Sequence, residues 1–456
     1  MISFYELVDR TMVGKYCPPS EFEMGVLVPK IEEVVSKYKI KADPKNPVPS
    51  DDDLADRVFQ AAFELLRDVG LYCPDSERIV QFSEDELRDA VAEAPSAPVF
   101  GQGKDAKPLV ARKTDSDSPP WCFIGAGGNA VSSEELYASL MEAYASFLPL
   151  ADSITGPTLA SINGRRVRTG TPLEVKAAIR ATVLAREALR RGGRPGLSIM
   201  NSIATAGSDT AKIAGSQFGL KPSDVFCTCF SAELKLEYQR YNEVAFAQAV
   251  GAHVVAGCGP VYGGYCGGGE GMAVINVAYH LASIIALRGS CQLTFPIHFK
   301  YGCNTEPGLL WAYSVSTQAI SRNSHFPVLN LTYVAAGPVT EMCLYEIAAG
   351  VTASVVSGAS GIEFGGVAKC THMDHCTPME PRLASEVAHA VAGMTRKEAN
   401  EIVKKLLPHY EGHLDSPPIG KKYEECWDIH RKTPNEEYVT LYKKIKKDLA
   451  DLGIQT

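Results

Sequence analysis

The chain has 456 residues, of which 45% are hydrophobic and 21% charged, with a formal net charge of −8. That balance supplies a large core and excludes a disordered or collagen-like chain. It also lacks the basic surface a general nucleic-acid binder needs, and no apolar stretch is long and uninterrupted enough for a membrane span.

The first residues, MISFYELVDR, carry acids where a secretory leader has a basic start, so the expected compartment is the cytoplasm. From Ser50, SDDDLADRVFQAAFELLRDVG places acids first and then apolar residues at Leu54, Val58, Ala61, Ala62, Leu65 and Leu66. This spacing predicts a helix stopped at Gly70. Ser83 and Glu86 form a capping box ahead of a second helix, ended by Pro95. A connector rich in Gly, Pro and charge, 101–120, marks a boundary.

Short apolar or β-branched runs then recur at 121–125, 152–159, 197–201, 225–230, 254–258, 292–299, 328–334 and 362–367. Helical patterns such as TPLEVKAAIRATVLAREALRR and MAVINVAYHLASIIAL separate them. Eight strand–helix alternations predict an α/β fold, a (β/α)8 TIM barrel, with a doubly wound open sheet as the alternative. The expected division is a helical extension over 1–115, the barrel over 116–377 and a C-terminal helical region over 378–456, packed on the barrel.

In such a barrel the site lies on the loops after the strands. That rule points to Met200 and Asn201, to Cys227 and Cys229, to the segment 258–270, to His298 and Lys300, to Tyr333, and to the chain from Lys369 onward. Period-two alternation puts Cys227 with Cys229 on one face and Leu331 with Tyr333 on one face; which face looks inward stays open. The loop CGPVYGGYCGGGEG has glycines that permit close backbone approach to a ligand, but neither Walker nor Rossmann spacing. The segment AKCTHMDHCTPMEPR gathers Cys370, His372, His375 and Cys376, material for a zinc or iron site or for a polar loop with neutral histidines. Thirteen cysteines, an odd number, are better read as free thiols or ligands than as a disulfide frame.

With GRPGLSIMNS among the residues that carry the likeness, the chain resembles, over nearly its whole length, the monomethylamine methyltransferases, corrinoid-dependent enzymes of methanogens. The resembling residues are GRPG at 193–196, YGGYCGG at 262–268 with Glu270, Asn276-Val-Ala with His280, Pro296-Ile-His298 and GPVTEMCL at 337–344. They continue in Met379-Glu380-Pro-Arg382, Glu386-Val-Ala388, Ala392-Gly393, Glu425-Cys426, Thr433-Pro434 and Glu437-Tyr438. The resemblance implies a TIM barrel in a homohexamer that passes a methyl group to the cobalt of a corrinoid (cobalamin) on a separate cognate protein.

It also exposes departures. The family's pyrrolysine position, three residues after GRPG and one apolar triplet, is Met200 here. Pocket carboxylates of the family fall at Cys227 and near Gly257, and a pocket glutamine falls at Leu331, whereas the tyrosine is kept as Tyr333. A thioether has no electrophilic imine carbon to capture an amine. The expectation is therefore a pyrrolysine-free relative acting on a small methylated substrate other than monomethylamine, such as a quaternary amine that leaves as a neutral amine. Tyr262, Tyr265 and Tyr333 are the expected cation–π faces, with Met200, Cys227, Cys229 and Leu331 in the substrate pocket. Glu270, His298 and Tyr333 are the expected catalytic groups; Glu270 and His298 read equally well as structural hydrogen-bond partners. The alternatives are zinc at Cys370, His372, His375 or Cys376 acting as Lewis acid on a methoxy or methylthio compound, a non-catalytic corrinoid-protein binder, and a metal-dependent hydrolase.

Overall fold

The computed structural model describes residues 2–456. Its centre is a parallel sheet of eight strands: β1 (Trp121–Gly125), β2 (Ser153–Thr155), β3 (Ser198–Ile199), β4 (Val225–Cys229), β5 (His253–Cys258), β6 (Cys291–Thr294), β7 (Val328–Tyr333) and β8 (Gly361–Gly366). The pairing order is β3, β2, β1, β8, β7, β6, β5, β4. A parallel bridge between Met200 and Val225 joins the two ends. Asn201 fastens that seam: its Nδ2 donates to the Cys227 carbonyl at 3.1 Å and its Oδ1 accepts from the Cys227 amide at 3.2 Å. The sheet is thus closed, a (β/α)8 barrel, and the open-sheet alternative falls away.

The helices after the strands are α1 (Glu134–Phe147), α2 (Pro172–Arg191), α3 (Asp209–Ser216), α4 (Tyr238–Ala249), α5 (Gly269–Ile285), α6 (Pro307–Asn323), α7 (Glu341–Val356) and α8 (Met379–Ala390). Helix α8 packs on β1, β8 and α7, so it completes the ring. The sequence division at 377/378 assigned it to the C-terminal region, because its pattern is helical like that of the residues beyond it.

Helices α5, α6 and α7 are buried almost all round. An apolar circumference needs cover on its outer side too. The helix Asp52–Val69 lies across α5 and α6, while Arg396–Leu406 and Glu436–Asp451 lie on α7. The expected helix start and stop hold: Asp51 accepts from the Leu54 amide, the helix ends at Val69, and the Ser83/Glu86 capping box is formed.

The connector is ordered against the barrel. Val99–Phe100 pairs antiparallel with Lys107–Pro108, and Phe100 lies 4.9 Å from His253, the first residue of β5. Phe100 and Leu109 join Trp121 and Phe123 in the apolar filling at the amino ends of the strands. Arg112, 5% exposed, donates to the carbonyls of Ser116, Ser118, Val355 and Ala359 and ties the connector to the end of α7. Among the described residues no helix is long and apolar enough to cross a membrane.

Candidate functional site

Inside the barrel, Phe123, Val225, Val255, Cys291 and Leu329 fill the lower layers. Above them, at the carboxyl ends of the strands, a cavity of about 160 Å³ is lined by Met200, Cys227, Cys229, Leu331, Tyr333 and Glu363, with Thr155, Leu293 and Phe295 among the remaining wall residues. At about 30 Å³ for each water-sized group, it holds roughly five.

Closure of the barrel decides the faces. Cys227 and Cys229 both point inward, their Sγ atoms 3.9 Å apart. The bond between them and burial lift the Cys227 thiol well above its ordinary range, while the same bond holds the Cys229 thiol down. The neighbouring strand makes room for them. A Cβ on Gly257 would sit within 3.0 Å of the Cys229 sulfur, so this glycine is a packing requirement of the thiol. Met200 follows β3, held by its amide to the Ile154 carbonyl at 2.9 Å, and its Sδ lies 3.5 Å from Thr155 Oγ1.

Glu363 is the acid of this wall that the sequence reading missed. It sits mid-strand in β8, 2% exposed, and its Oε2 has no hydrogen-bond partner among the described residues. Burial raises its pKa well above the carboxylate range, and the nearby Cys229 adds to the shift. Its neighbours Ile362 and Phe364 face the opposite side, in the packing under α7 and α8. A lone acid in the otherwise apolar run GIEFGG was the available signal.

Tyr333 closes one side of the cavity, with its hydroxyl pKa raised well above the ordinary value, chiefly by burial. Over it lies Cys370. Ala368, Lys369 and Cys370 have φ of 51°, 54° and 57°, a left-handed turn that costs about 1–2 kcal/mol per residue. Asn129 holds the turn, its Nδ2 donating to the Val367 and His375 carbonyls and its Oδ1 accepting from the Val367 amide. A Cβ on Gly128 would stand 2.5 Å from the Cys370 sulfur and 2.7 Å from Tyr333 Cε1, so the backbone here must be bare. Burial pushes the Cys370 thiol up to about 12.

The expected metal centre does not form. The His372 and His375 rings are 5.5 Å apart, and His375 Nδ1 is paired with the Met373 carbonyl. Cys376 is buried in the core under α8, against Glu380. Among the described residues no three His, Cys, Asp or Glu side chains are placed to hold a metal ion. Cys370, His372, His375 and Cys376 are neighbours in sequence, but the tight turn sends their side chains in different directions.

Four other expected site residues lie outside the cavity wall. Glu270, at the start of α5, accepts from the Ala42 amide at 2.9 Å and fastens the N-terminal extension. The Tyr265 hydroxyl donates to Glu23 Oε2 at 2.8 Å, in that same extension. Tyr262 stacks on His298 at 5.1 Å, above the barrel, where Val261–Tyr262 and Ile297–His298 pair as short parallel strands. His298 Nδ1 accepts from the Lys300 and Tyr301 amides, which leaves the ring proton on Nε2, and burial lowers its pKa. The three-tyrosine box therefore does not assemble; Tyr333 and Phe295 are the aromatic walls.

The family model for the monomethylamine methyltransferase MtmB matches residues 2–454. The chain is 32% identical to monomethylamine methyltransferases of Methanosarcina barkeri and Methanosarcina mazei, over 99% of its length and 98% of theirs. Its structure superposes on the crystal structure of the Methanosarcina barkeri monomethylamine methyltransferase with a TM-score of 0.95, at 30% identity and covering 99% of this chain and 98% of the other. The hydroxylamine complex of MtmB matches equally well.

Proposed function

The chain belongs to the monomethylamine methyltransferase family, and from that premise we propose that it moves a methyl group from a small quaternary amine to the Co(I) of a corrinoid carried by a separate protein. The observation that carries this reading is the cavity wall. At the carboxyl ends of the strands it presents a thioether, two thiols, aliphatic groups, two aromatic rings, the Thr155 hydroxyl and the Glu363 carboxyl, none of them an imine that could capture an amine.

Displacement at a methyl carbon needs a leaving group that is stable where it is left. An amide ion is not stable against such a wall, whereas a neutral tertiary amine is. The cobalt nucleophile would approach from the open end of the barrel, with the departing nitrogen held deeper, between Met200, Leu331 and Tyr333. The Tyr333 and Phe295 rings attract a methylated cation by their π faces, worth about 2 kcal/mol when desolvated. Apolar surroundings also exclude water from the donor, which strengthens each of these contacts.

The test is incubation with cob(I)alamin and separate methyl donors, followed by the absorbance of the methylated corrinoid. Transfer from tetramethylammonium or another quaternary amine is expected, with none from monomethylamine. Transfer from monomethylamine alone, or from no donor at all, would refute the reading. Chelator-sensitive transfer from a methoxy or methylthio compound would favour the zinc-assisted alternative instead.

A further inference from the structure

We propose that Glu363 is a proton-exchanging counter-ion that restricts the cavity to methylated onium cations, ammonium or sulfonium, and rejects neutral methyl donors of the same shape. This rests on the reading of the cavity as the methyl-donor site.

Other buried acids of the barrel each keep at least one hydrogen bond or ion pair, Glu233 among them, which accepts from the Val261 amide at 3.0 Å although its Oε2 is unpartnered. Glu346 accepts from the Ala335 and Ala336 amides and from Thr305 Oγ1. Glu380 accepts from the Thr377 amide and hydroxyl and from Tyr438. Glu243 is paired with Lys212 and Arg240. Structural carboxyls are satisfied in this way because an unpaired buried one is costly. Glu363 departs from that pattern, and it does so facing the cavity at the carboxyl ends of the strands.

The titratable groups around Glu363 are Cys227 and Cys229 on β4, Cys291 on β6, Tyr313 on α6 and Tyr333 on β7. None of them is a cation. With no cation among them and burial raising its pKa, Glu363 favours the neutral acid. An onium ion entering beside it reverses the balance: the carboxyl releases its proton to solvent and the carboxylate pairs with the cation. A neutral donor has no charge with which to displace that proton.

The same exchange would eject the product. When the methyl carbon bonds to the cobalt electron pair, the C–N pair stays on nitrogen and the donor becomes a neutral amine. The Glu363 carboxylate then stands without a counter-charge in an apolar cavity, and it takes back one proton. Charge pairing is thus made on binding and undone by the reaction itself.

Calorimetry with tetramethylammonium and with tert-butanol, a neutral molecule of the same heavy-atom count, tests this without any corrinoid. For the wild-type chain at pH 6 to 7, in buffers of different ionisation enthalpy, about one proton should be released per tetramethylammonium bound and none with tert-butanol. Glu363→Gln should weaken tetramethylammonium at least tenfold, abolish proton release, and leave tert-butanol binding within twofold, which also reports an intact cavity. Equal tetramethylammonium affinity in wild type and variant, absence of proton release, or failure of the wild type to prefer the cation would each overturn the proposal. The two readings fail separately. Glu363-dependent cation binding without methyl transfer removes the methyl-transfer reading and leaves the counter-ion, whereas undiminished methyl transfer in Glu363→Gln does the reverse.

Discussion

Replacing Gly257 by alanine tests how the thiol pair shapes the cavity. The added Cβ would lie within 3.0 Å of Cys229 Sγ, 3.3 Å from Cys229 Cβ and 3.4 Å from Phe295 Cε1. Carbon atoms pack best at about 3.5–4.0 Å, so the ring contact needs a small shift but the sulfur must move by roughly an ångström or rotate away. Rotation breaks its 3.9 Å contact with Cys227. Overpacking of this kind costs about 1–3 kcal/mol. Cys229→Ala removes the sulfur while keeping the Cβ, so in that background Gly257→Ala should cost only a few tenths of a kcal/mol. The coupling between the two sites is then about 1–2 kcal/mol, measured as a double-mutant cycle in urea denaturation. If Gly257→Ala costs the same with and without the Cys229 sulfur, the packing argument is wrong.

Stability should fall as pH rises between about 4.5 and 7. Burial pushes Glu233, Glu346 and Glu380 up to about 7, so the folded chain keeps protons that the unfolded chain has already released. Each of these carboxyls contributes up to about 1.4 kcal/mol per pH unit within that window, the buried His280, lowered to about 4, contributes with the opposite sign below about pH 6.5, and urea midpoints at pH 5.5 and 7.5 measure the net. Glu346→Gln should flatten the slope; an unchanged slope would mean that the carboxyl is already ionised in the fold. Arg112→Met removes four bonds to carbonyls and should lower unfolding free energy by about 3 kcal/mol, read from the same denaturation curves. A loss below about 1 kcal/mol would show that the connector is held by Phe100 and Leu109 instead. Because Cys370, His372, His375 and Cys376 do not converge, exhaustive chelation should leave the melting temperature unchanged, whereas a clear drop would place a metal in this segment.

The sequence by itself determined the repeating architecture. Apolar runs separated by helical periodicity marked all eight strands close to where they stand, because each strand buried on both faces must be apolar along its length. The same reasoning placed Met200, Cys227 and Tyr333 near the strand ends. It also marked the capping box at Ser83, where a local hydrogen-bond pattern is written into adjacent residues.

Tertiary structure decided everything that depends on convergence. Period two groups Cys227 with Cys229, but only the direction in which the sheet closes says that this face looks inward. Tyr265 and Glu270 sit in the glycine-rich loop that the strand-end rule selected, yet Glu23 and the Ala42 amide draw them toward the N-terminal extension. Those partners are more than two hundred residues distant in sequence, so no local pattern records them. Glu363 is the converse case: a single acid in an apolar strand, whose meaning comes from its Oε2 having no partner among the described residues. Strand and helix follow from backbone geometry repeated along a few residues. The chemistry of the cavity follows from which side chains on and after separate strands face one another, and that is fixed only when the barrel closes.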